Sequence, residues 1–345
     1  MDRPFALITG GSGYFGSVLR DRLCERGWRV RVFDLNDADD RPPDVEFVHG
    51  DVRNPEAVAR AVNGCTVVFH CVAQVPLAKD KNLFWSVNVD GTQNLLEAAR
   101  RARVQKVVHV SSSAVFGAPK TNPVTERTEP RPGEPYGRAK LAAEQVCQEF
   151  AASGLDITII RPRTIMGHGR LGIFQILFEW IRQGYNVPVL GRGENRYQFV
   201  HADDLAAACI LAACRPGPAV YNCGTDRFGT MRELLEHLCH YAGTGSQVKS
   251  VPMLPAIIFM RLTGALGLAP LAPYHALMYG RSLYFDITKA RTELGWQPRY
   301  SNEEMFVQSY DWYLRNRERV LSQRGSSPHR SPIKEGVLSI VKRLL

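Results

Sequence analysis

Short apolar runs rich in Val and Ile alternate with longer stretches whose apolar positions recur every three or four residues. Residues 5–9, 29–34, 45–48, 66–70, 106–111 and 157–160 read as strands, and residues 14–26, 55–62, 85–103 and 136–153 as helices. Strand and helix alternating at this spacing predict an α/β fold with a doubly wound parallel sheet covered on both faces. After residue 165 the rhythm changes. A helix over 173–183, a strand over 187–190 and a strand at 197–201 leading into a helix from Asp203 predict a smaller substrate lobe, with residues 221–224 returning to the main sheet. The expected organisation is a core over 1–165, a lobe over 166–315 with pieces returning to the core, and a basic linker and amphipathic tail over 316–345.

Residues 251–279 are unusually apolar but broken by Arg261 and by Pro252, Pro255, Pro270 and Pro273. They fall short of the roughly 18 uncharged apolar residues of a membrane span. Two readings stand: a pair of short buried helices, or an apolar wall over a greasy substrate.

Composition narrows the classes. The chain has 345 residues, 45% hydrophobic and 22% charged, with mean hydropathy −0.19, which excludes a disordered, collagen-like or integral membrane protein. The net charge of +9 is uneven, because residues 315–345 carry eight basic side chains against Glu318 and Glu335. The body is nearly neutral and offers no nucleic-acid groove. Eight cysteines without a CxxC pair point to a reducing compartment and give no zinc spacing. The N-terminus passes directly into the first strand, so the cytoplasm is the expected location. Among nine histidines only His237 and His240 lie close together, and no metal site is expected.

Gly10, Gly13 and Gly16 follow the first strand and open the first helix, within the run Thr9, Gly10, Gly11, Ser12, Gly13, Tyr14, Phe15 and Gly16. A Cβ there would keep the backbone from turning tightly against a pyrophosphate held at the helix N-terminus. Asp34 ends the second strand eighteen residues beyond Gly16, where a carboxylate accepts hydrogen bonds from both ribose hydroxyls of an adenosine. The same carboxylate repels a 2′-phosphate. NAD is therefore expected in preference to NADP.

Tyr136 and Lys140 form the one YxxxK pair of the chain, one helical turn apart on the same face. A phenol with pKa near 10 is a poor base at neutral pH, and an ammonium and a positive nicotinamide beside it are expected to lower that value. Upstream, Ser111, Ser112 and Ser113 lie where the fifth strand should end. A hydroxyl there can orient the substrate oxygen, and strand alternation alone leaves the choice among the three open.

Together these residues resemble the extended short-chain dehydrogenase/reductase family, in its NAD-dependent epimerase/dehydratase and 3β-hydroxysteroid dehydrogenase-like branches. The resemblance covers roughly residues 5–315: TGGSGYFG at 9–16, GDVRN at 50–54, HCVA at 70–73, NVDGTQNLLEAA at 88–99, SSSAVFG at 111–117, YGRAK at 136–140, RPRTIMGHG at 161–169, FVHADDLA at 199–206 and ELGWQPRYS at 293–301. It implies a Rossmann-type fold, a homodimer, and an active site in which Tyr136 is the general acid/base, Lys140 its tuner and Ser112, three residues before Val115, the orienting hydroxyl. It also implies that Asp51 and Val52 border the adenine, that Val72, Ala73 and Asn88 flank the cofactor and that Pro162 begins the loop over the nicotinamide.

The branches differ in substrate. Tyr197 stands where nucleotide-sugar members carry a diphosphate-gripping Arg, and Arg196 comes one residue early, on the opposite side of a strand. Ser113, Arg196, Tyr197 and Arg281 are the candidate substrate contacts. GRGEN at 191–195 and the apolar stretch at 251–279 look like the sterol-processing branch, whereas Asp203 and Asp204 look like the sugar branch. The leading expectation is an oxidoreductase or epimerase acting on a nucleotide-activated sugar. The alternatives are an oxidoreductase of a hydroxylated lipid, sterol or isoprenoid, and a dinucleotide-sensing scaffold without catalysis. Ile333, Val337, Ile340, Val341 and Leu344 recur at helical spacing opposite Lys334, Lys342 and Arg343. Such a helix either contacts an anionic membrane surface peripherally or packs on protein.

Overall fold

The structure is a computed structural model that describes residues 3–74, 82–170, 172–266, 278–322, 336 and 338–344. Seven strands form one parallel sheet in the order β10-β6-β5-β4-β1-β2-β3. They are β1 (Phe5–Thr9), β2 (Arg29–Asp34), β3 (Glu46–His49), β4 (Val67–His70), β5 (Lys106–Val110), β6 (Ile157–Pro162) and β10 (Ala219–Cys223). Strands β1, β4, β5 and β6 are buried at every position, which is why they read as unbroken apolar runs rather than as alternating ones. Leu19 and Leu23 of α1 (Tyr14–Glu25) pack with Ile8 and Val32 on one face, while Leu95, Leu96 and Ala99 of α4 (Gly91–Arg101) pack with Leu7, Val68 and Val107 on the other. The strand order reverses between β1 and β4. Such a switch opens a crevice at the carboxyl ends of the strands.

Helix starts are set locally. Asn54 accepts from the N–H groups of Glu56 and Ala57 ahead of α2 (Pro55–Val62), and Glu134 does the same for α5 (Pro135–Ala152), each with Pro at the first helical position. The expected helix over 85–103 is interrupted: residues 82–85 are α-helical (α3, Asn82–Trp85), Ser86–Asp90 form a π-helical turn, and α4 follows. Periodicity alone does not reveal such a bulge, which is common at functional sites.

The lobe holds α6 (Ile173–Arg182) and two small parallel pairs, β7 (Thr164–Met166) with β9 (Phe199–His201) and β8 (Val187–Leu190) with β11 (Val248–Val251). It also holds α8 (Met231–Ala242) and the long α11 (Asn302–Ser322), between which come α9 (Met253–Ala265) and α10 (Thr288–Leu294); α7 (Ala202–Cys214) packs back against α1 of the core. Phe178, Phe199, Phe306, Tyr310 and Tyr313 form its aromatic centre, with the Phe199 and Phe306 rings 4.9 Å apart. Helix α11 continues past the expected boundary at residue 315 to Ser322, because Arg317 pairs with Glu179 of α6 at 3.0 Å.

One apolar segment departs from an expected form, and the other takes one of the two forms expected of it. Helix α9 is not buried: Leu254, Ile258 and Leu262 form an exposed stripe continued by exposed Leu266, and Met260 is the side packed against Leu190. Residues 267–277 lie outside the described residues. In the tail, α12 (Leu338–Leu344) packs Leu338 and Val341 against the lobe, and Lys342 donates to Gln183 with its ammonium 5.0 Å from the Tyr185 ring. Ile333, Lys334 and Val337 are outside the described residues, as are the side chains of Ile340 and Leu344. Among the described residues no helix is long and apolar enough to cross a membrane. All eight cysteines are free thiols.

Candidate active site

The glycine-rich turn joins β1 to α1 at the carboxyl edge of the sheet. Gly10 has φ +72°, and a Cβ there would stand 2.9 Å from the Val72 nitrogen; one on Gly16 would be driven into the Gly10 carbonyl and lie 2.7 Å from Gly11 Cα. Gly13 is the N-cap of α1 and no side chain caps that helix, so its first-turn N–H groups are presented for an anion. Tyr14 and Phe15 of this first turn are buried, with the Arg170 guanidinium 5.5 Å from the Tyr14 ring. Asp34, at the end of β2, accepts from the Ser12 N–H at 3.1 Å and the Leu35 N–H at 2.7 Å. Burial raises its carboxyl above the ordinary value against the pull of those amides.

The remaining cofactor candidates are distributed around this turn. Val72 and Ala73 follow β4 half-buried. Asn88, buried in the π-helical turn, fixes the next residue through both edges of its amide, accepting from Gln74 N at 2.7 Å and donating to Gln74 O at 3.2 Å. Val52 is buried and its carbonyl accepts from Asn94, whereas Asp51 pairs with Arg53, which holds its carboxyl low. Pro162 closes β6, buried. These shapes fit a dinucleotide: a turn that only glycine permits, an uncapped helix start and a carboxylate at the second strand's end.

The three serines separate cleanly. Ser111 donates to Glu144 at 2.5 Å, and Glu144 is itself clamped by Arg161 at 2.6 Å. Ser112 accepts from Ala114 N at 3.1 Å and lies close enough to the Tyr136 phenol to act in favour of its ionised form. Ser113 receives the Arg163 guanidinium at 2.7 Å. Ser111 and Ser113 are thus engaged by Glu144 and Arg163, and Ser112 is the serine that acts on the Tyr136 phenol.

Tyr136 and Lys140 are both buried on α5. Their helix begins where it does because Glu134 accepts from the Tyr136 and Gly137 N–H groups at 2.8 and 2.6 Å. Burial pushes the Tyr136 phenol up to about 12, with Ser112 opposing. The expected lowering is therefore not a property of the protein alone. Burial brings Lys140 down to about 8, while the thiol of Cys147 and the carboxyl of Glu144 act to raise it; its ammonium donates to the Val110 carbonyl at 2.8 Å. Below it His70 lies between Thr9 and Thr92 at 2.7 and 3.0 Å, its pKa brought down to about 3 by burial and by Lys140.

Of the substrate candidates, Tyr197 is buried and meets Thr164 Oγ1 at 3.0 Å through its hydroxyl. Arg196 is exposed and turned the other way, 4.9 Å from the Phe228 and Tyr284 rings; Arg281 is exposed. The sequence reading missed Arg163, Glu144 and Glu134. Glu134 was findable, since an acid preceding Pro at a helix start is a capping signature. His237 and His240 are exposed on α8, and the described residues instead gather His168, His201 and Asp203 within 4.8 Å. His201 Nδ1 already accepts from Asp203 N at 3.1 Å, and Asp203 holds Arg22 at 3.0 Å.

Comparison with known proteins agrees with this geometry. The chain is 54% identical over 97% of its length to the protein y4nG of Sinorhizobium fredii, of which it covers 85%. It is 30% identical to a UDP-glucose 4-epimerase of Mycolicibacterium smegmatis, over 89% of this chain and 97% of the relative. The solved structure of MoeE5 in complex with UDP-glucuronic acid and NAD superposes with a TM-score of 0.72 at 26% identity, covering 90% of this chain and 99% of that one. Residues 6–224, from the first strand through β10 and so across the glycine turn, Ser112, Tyr136 and Lys140, match one family profile. The chain thus belongs to the NAD dependent epimerase/dehydratase family.

Proposed function

We propose that this enzyme oxidises a carbinol of a nucleotide-activated sugar, in the manner of an epimerase or dehydrogenase, with Tyr136 as general acid/base, Lys140 as its tuner and Ser112 as the orienting hydroxyl. The observation that carries the reading is the buried Tyr136 phenol, which the half-buried Ser112 acts to hold in its ionised form, one helical turn from the buried Lys140 ammonium. Ser112 orients the substrate oxygen toward the phenol, which takes its proton. A phenol lifted by burial is a base only if a cation favours the phenolate, and Lys140 is the protein cation on the same helix face. Backbone amides at Tyr14, Phe15 and Gly16 would hold the pyrophosphate of NAD, with Gly10 and Gly13, whose own N–H groups bond Phe33 O and Gly10 O, shaping the turn, and Asp34 would hold its ribose. Asp51 and Val52 would border the adenine, with Val72, Ala73, Asn88 and Pro162 along the remainder. NAD, when bound, supplies the acceptor for the hydride that leaves the carbinol carbon.

A cavity of about 470 Å³ lined by Leu190, Asn195, Met253, Gly280 and Ser282 supports a substrate with a second moiety. Arg196 follows the lining residue Asn195 and Arg281 stands between Gly280 and Ser282, and both would supply charge for a diphosphate. The second reading, a sterol or other hydroxylated lipid, is favoured by Tyr197 in place of an arginine and by the exposed stripe of α9 beside Met253. The division into a cofactor core over 1–165 and a mainly substrate-binding lobe, a cytoplasmic location and a homodimer belong to the same proposal. The packing of Leu338 and Val341 supports a tail docked on protein. A chain ending at Gln323 should therefore partition onto anionic vesicles no less than the full chain.

Denaturing the purified enzyme and identifying the released cofactor and co-purified ligand by mass spectrometry distinguishes sugar from lipid. Tyr136→Phe should abolish turnover while leaving NAD affinity within about twofold. Unchanged turnover would refute the assignment.

A further inference from the structure

Three arginines are buried among the described residues: Arg20, Arg161 and Arg163. Arg20 meets the carboxylates of Asp21 and Asp40, and Arg161 that of Glu144. Arg163, 1% exposed, has no carboxylate within ion-pair distance among the described residues. Its Nη1 donates to Ser113 Oγ at 2.7 Å, and its Nε and Nη2 are buried without a hydrogen-bond partner. A charge taken out of water and left unpaired is among the costliest features a fold can carry, and it is concentrated at functional sites.

The identity of the two vacant donors is informative. Nε and Nη2 form the side-on edge of a guanidinium, the fork that receives both oxygens of a carboxylate in parallel. Two rings stand against the guanidinium, Tyr197 at 4.6 Å and Phe285 at 5.7 Å, and Nη1 is held by Ser113. Tyr197 is itself anchored by its hydroxyl to Thr164. The group is thus clasped in one orientation with one edge unspent. Its chain neighbours belong to the proposed reaction site, since Ser113, which it bonds, follows Ser112, and Arg163 itself follows Pro162 at the end of β6.

We propose that Arg163 is a specificity-determining residue that binds a carboxylate carried by the substrate near the carbinol that reacts. A carboxylate, with a single negative charge, neutralises one guanidinium; a phosphate monoester approaching two charges would leave an excess in an enclosed space. The inference rests on the reading that the Ser112, Tyr136 and Lys140 pocket is the reaction site. It deepens that reading, because both a nucleotide sugar acid and a sterol carboxylic acid satisfy it.

The test uses the full-length NAD-loaded enzyme, its Arg163→Met and Arg163→Lys variants, and two ligand pairs that differ in a carboxylate: UDP-glucuronic acid against UDP-glucose, and a sterol 4-carboxylate against the sterol lacking it. Affinities are read by calorimetry. In the native enzyme the acid of one pair should bind at least about tenfold more tightly than its neutral partner. Arg163→Met should reduce that ratio to within about twofold, and Arg163→Lys should restore part of it. A preference confined to the sterol pair supports the carboxylate fork while overturning the sugar reading. Should the native enzyme discriminate neither acid from its neutral partner, or should discrimination survive in Arg163→Met, the guanidinium is a packing group and the proposal is wrong. Absence of discrimination in the native enzyme overturns the proposal without any variant, and Arg163→Lys reports on the guanidinium should Arg163→Met fail to fold.

Discussion

Replacing Glu144 by Gln tests how the catalytic floor is held. Glu144 and Arg161 have side-chain exposures of 1% and 5%, and their pair closes at 2.6 Å with a further bond from Ser111. Removing the carboxylate charge leaves a guanidinium buried against the Phe116 ring, 5.1 Å from its centre. Breaking one side of a buried pair costs about 3–5 kcal/mol. Because Gln keeps the shape and one hydrogen bond, the lower end applies, and about 3 kcal/mol is roughly a hundredfold in the folded-to-unfolded ratio. Urea unfolding followed by tryptophan fluorescence measures it. The double variant Glu144→Met with Arg161→Met removes both charges and should recover most of the loss. A loss below about 1 kcal/mol in Glu144→Gln, or a double variant less stable than the single one, would show that the pair does not hold this part of the fold. Glu144 also acts to raise the Lys140 pKa, so Glu144→Gln should move the alkaline limb of the turnover profile to lower pH.

Two further outcomes follow from the same reasoning. Asp34→Ala removes a carboxylate placed for a ribose, and hydrogen bonds to a charged group contribute about 1.5–3 kcal/mol, so NAD affinity should fall about ten- to a hundredfold while NADP affinity falls less; an unchanged ratio of the two dissociation constants would remove Asp34 from the site. Burial acts to raise the Glu179 carboxyl, but hydrogen bonds from Arg182, Arg317, Tyr313 and Gln183 outweigh it and hold the pKa far below the ordinary value. Its contribution to stability is therefore complete above the unfolded carboxylate value of about 4.3 and is lost as pH falls through and below it. The urea midpoint should drop between pH 6 and pH 3.5, and drop less in Glu179→Gln.

The glycine turn, Asp34 and the Tyr136–Lys140 pair were legible because each depends on spacing within one segment. The seven-stranded core was legible for a related reason: strands buried on both faces leave continuous apolar runs. Arg163 was not, since an arginine's meaning depends on whether an acid comes to meet it in space. The same holds for the exposed stripe of α9, whose residues are apolar on every side and so give no sign of which side is covered. The phenol's raised pKa was missed because burial was not weighed against the lysine, and depth within a fold is not written in a five-residue motif.

The seventh strand of the main sheet has an implication for how the polypeptide matures. β10 lies against β6, yet β7, α6, β8, β9 and α7 intervene in the chain. Until residue 223 has been synthesised, β6 presents a bare row of amides and carbonyls, and a fragment cut at residue 165 would retain that open flank permanently. Such a fragment should self-associate rather than behave as an autonomous nucleotide-binding module, because its sheet is completed only by chain made after the lobe has begun.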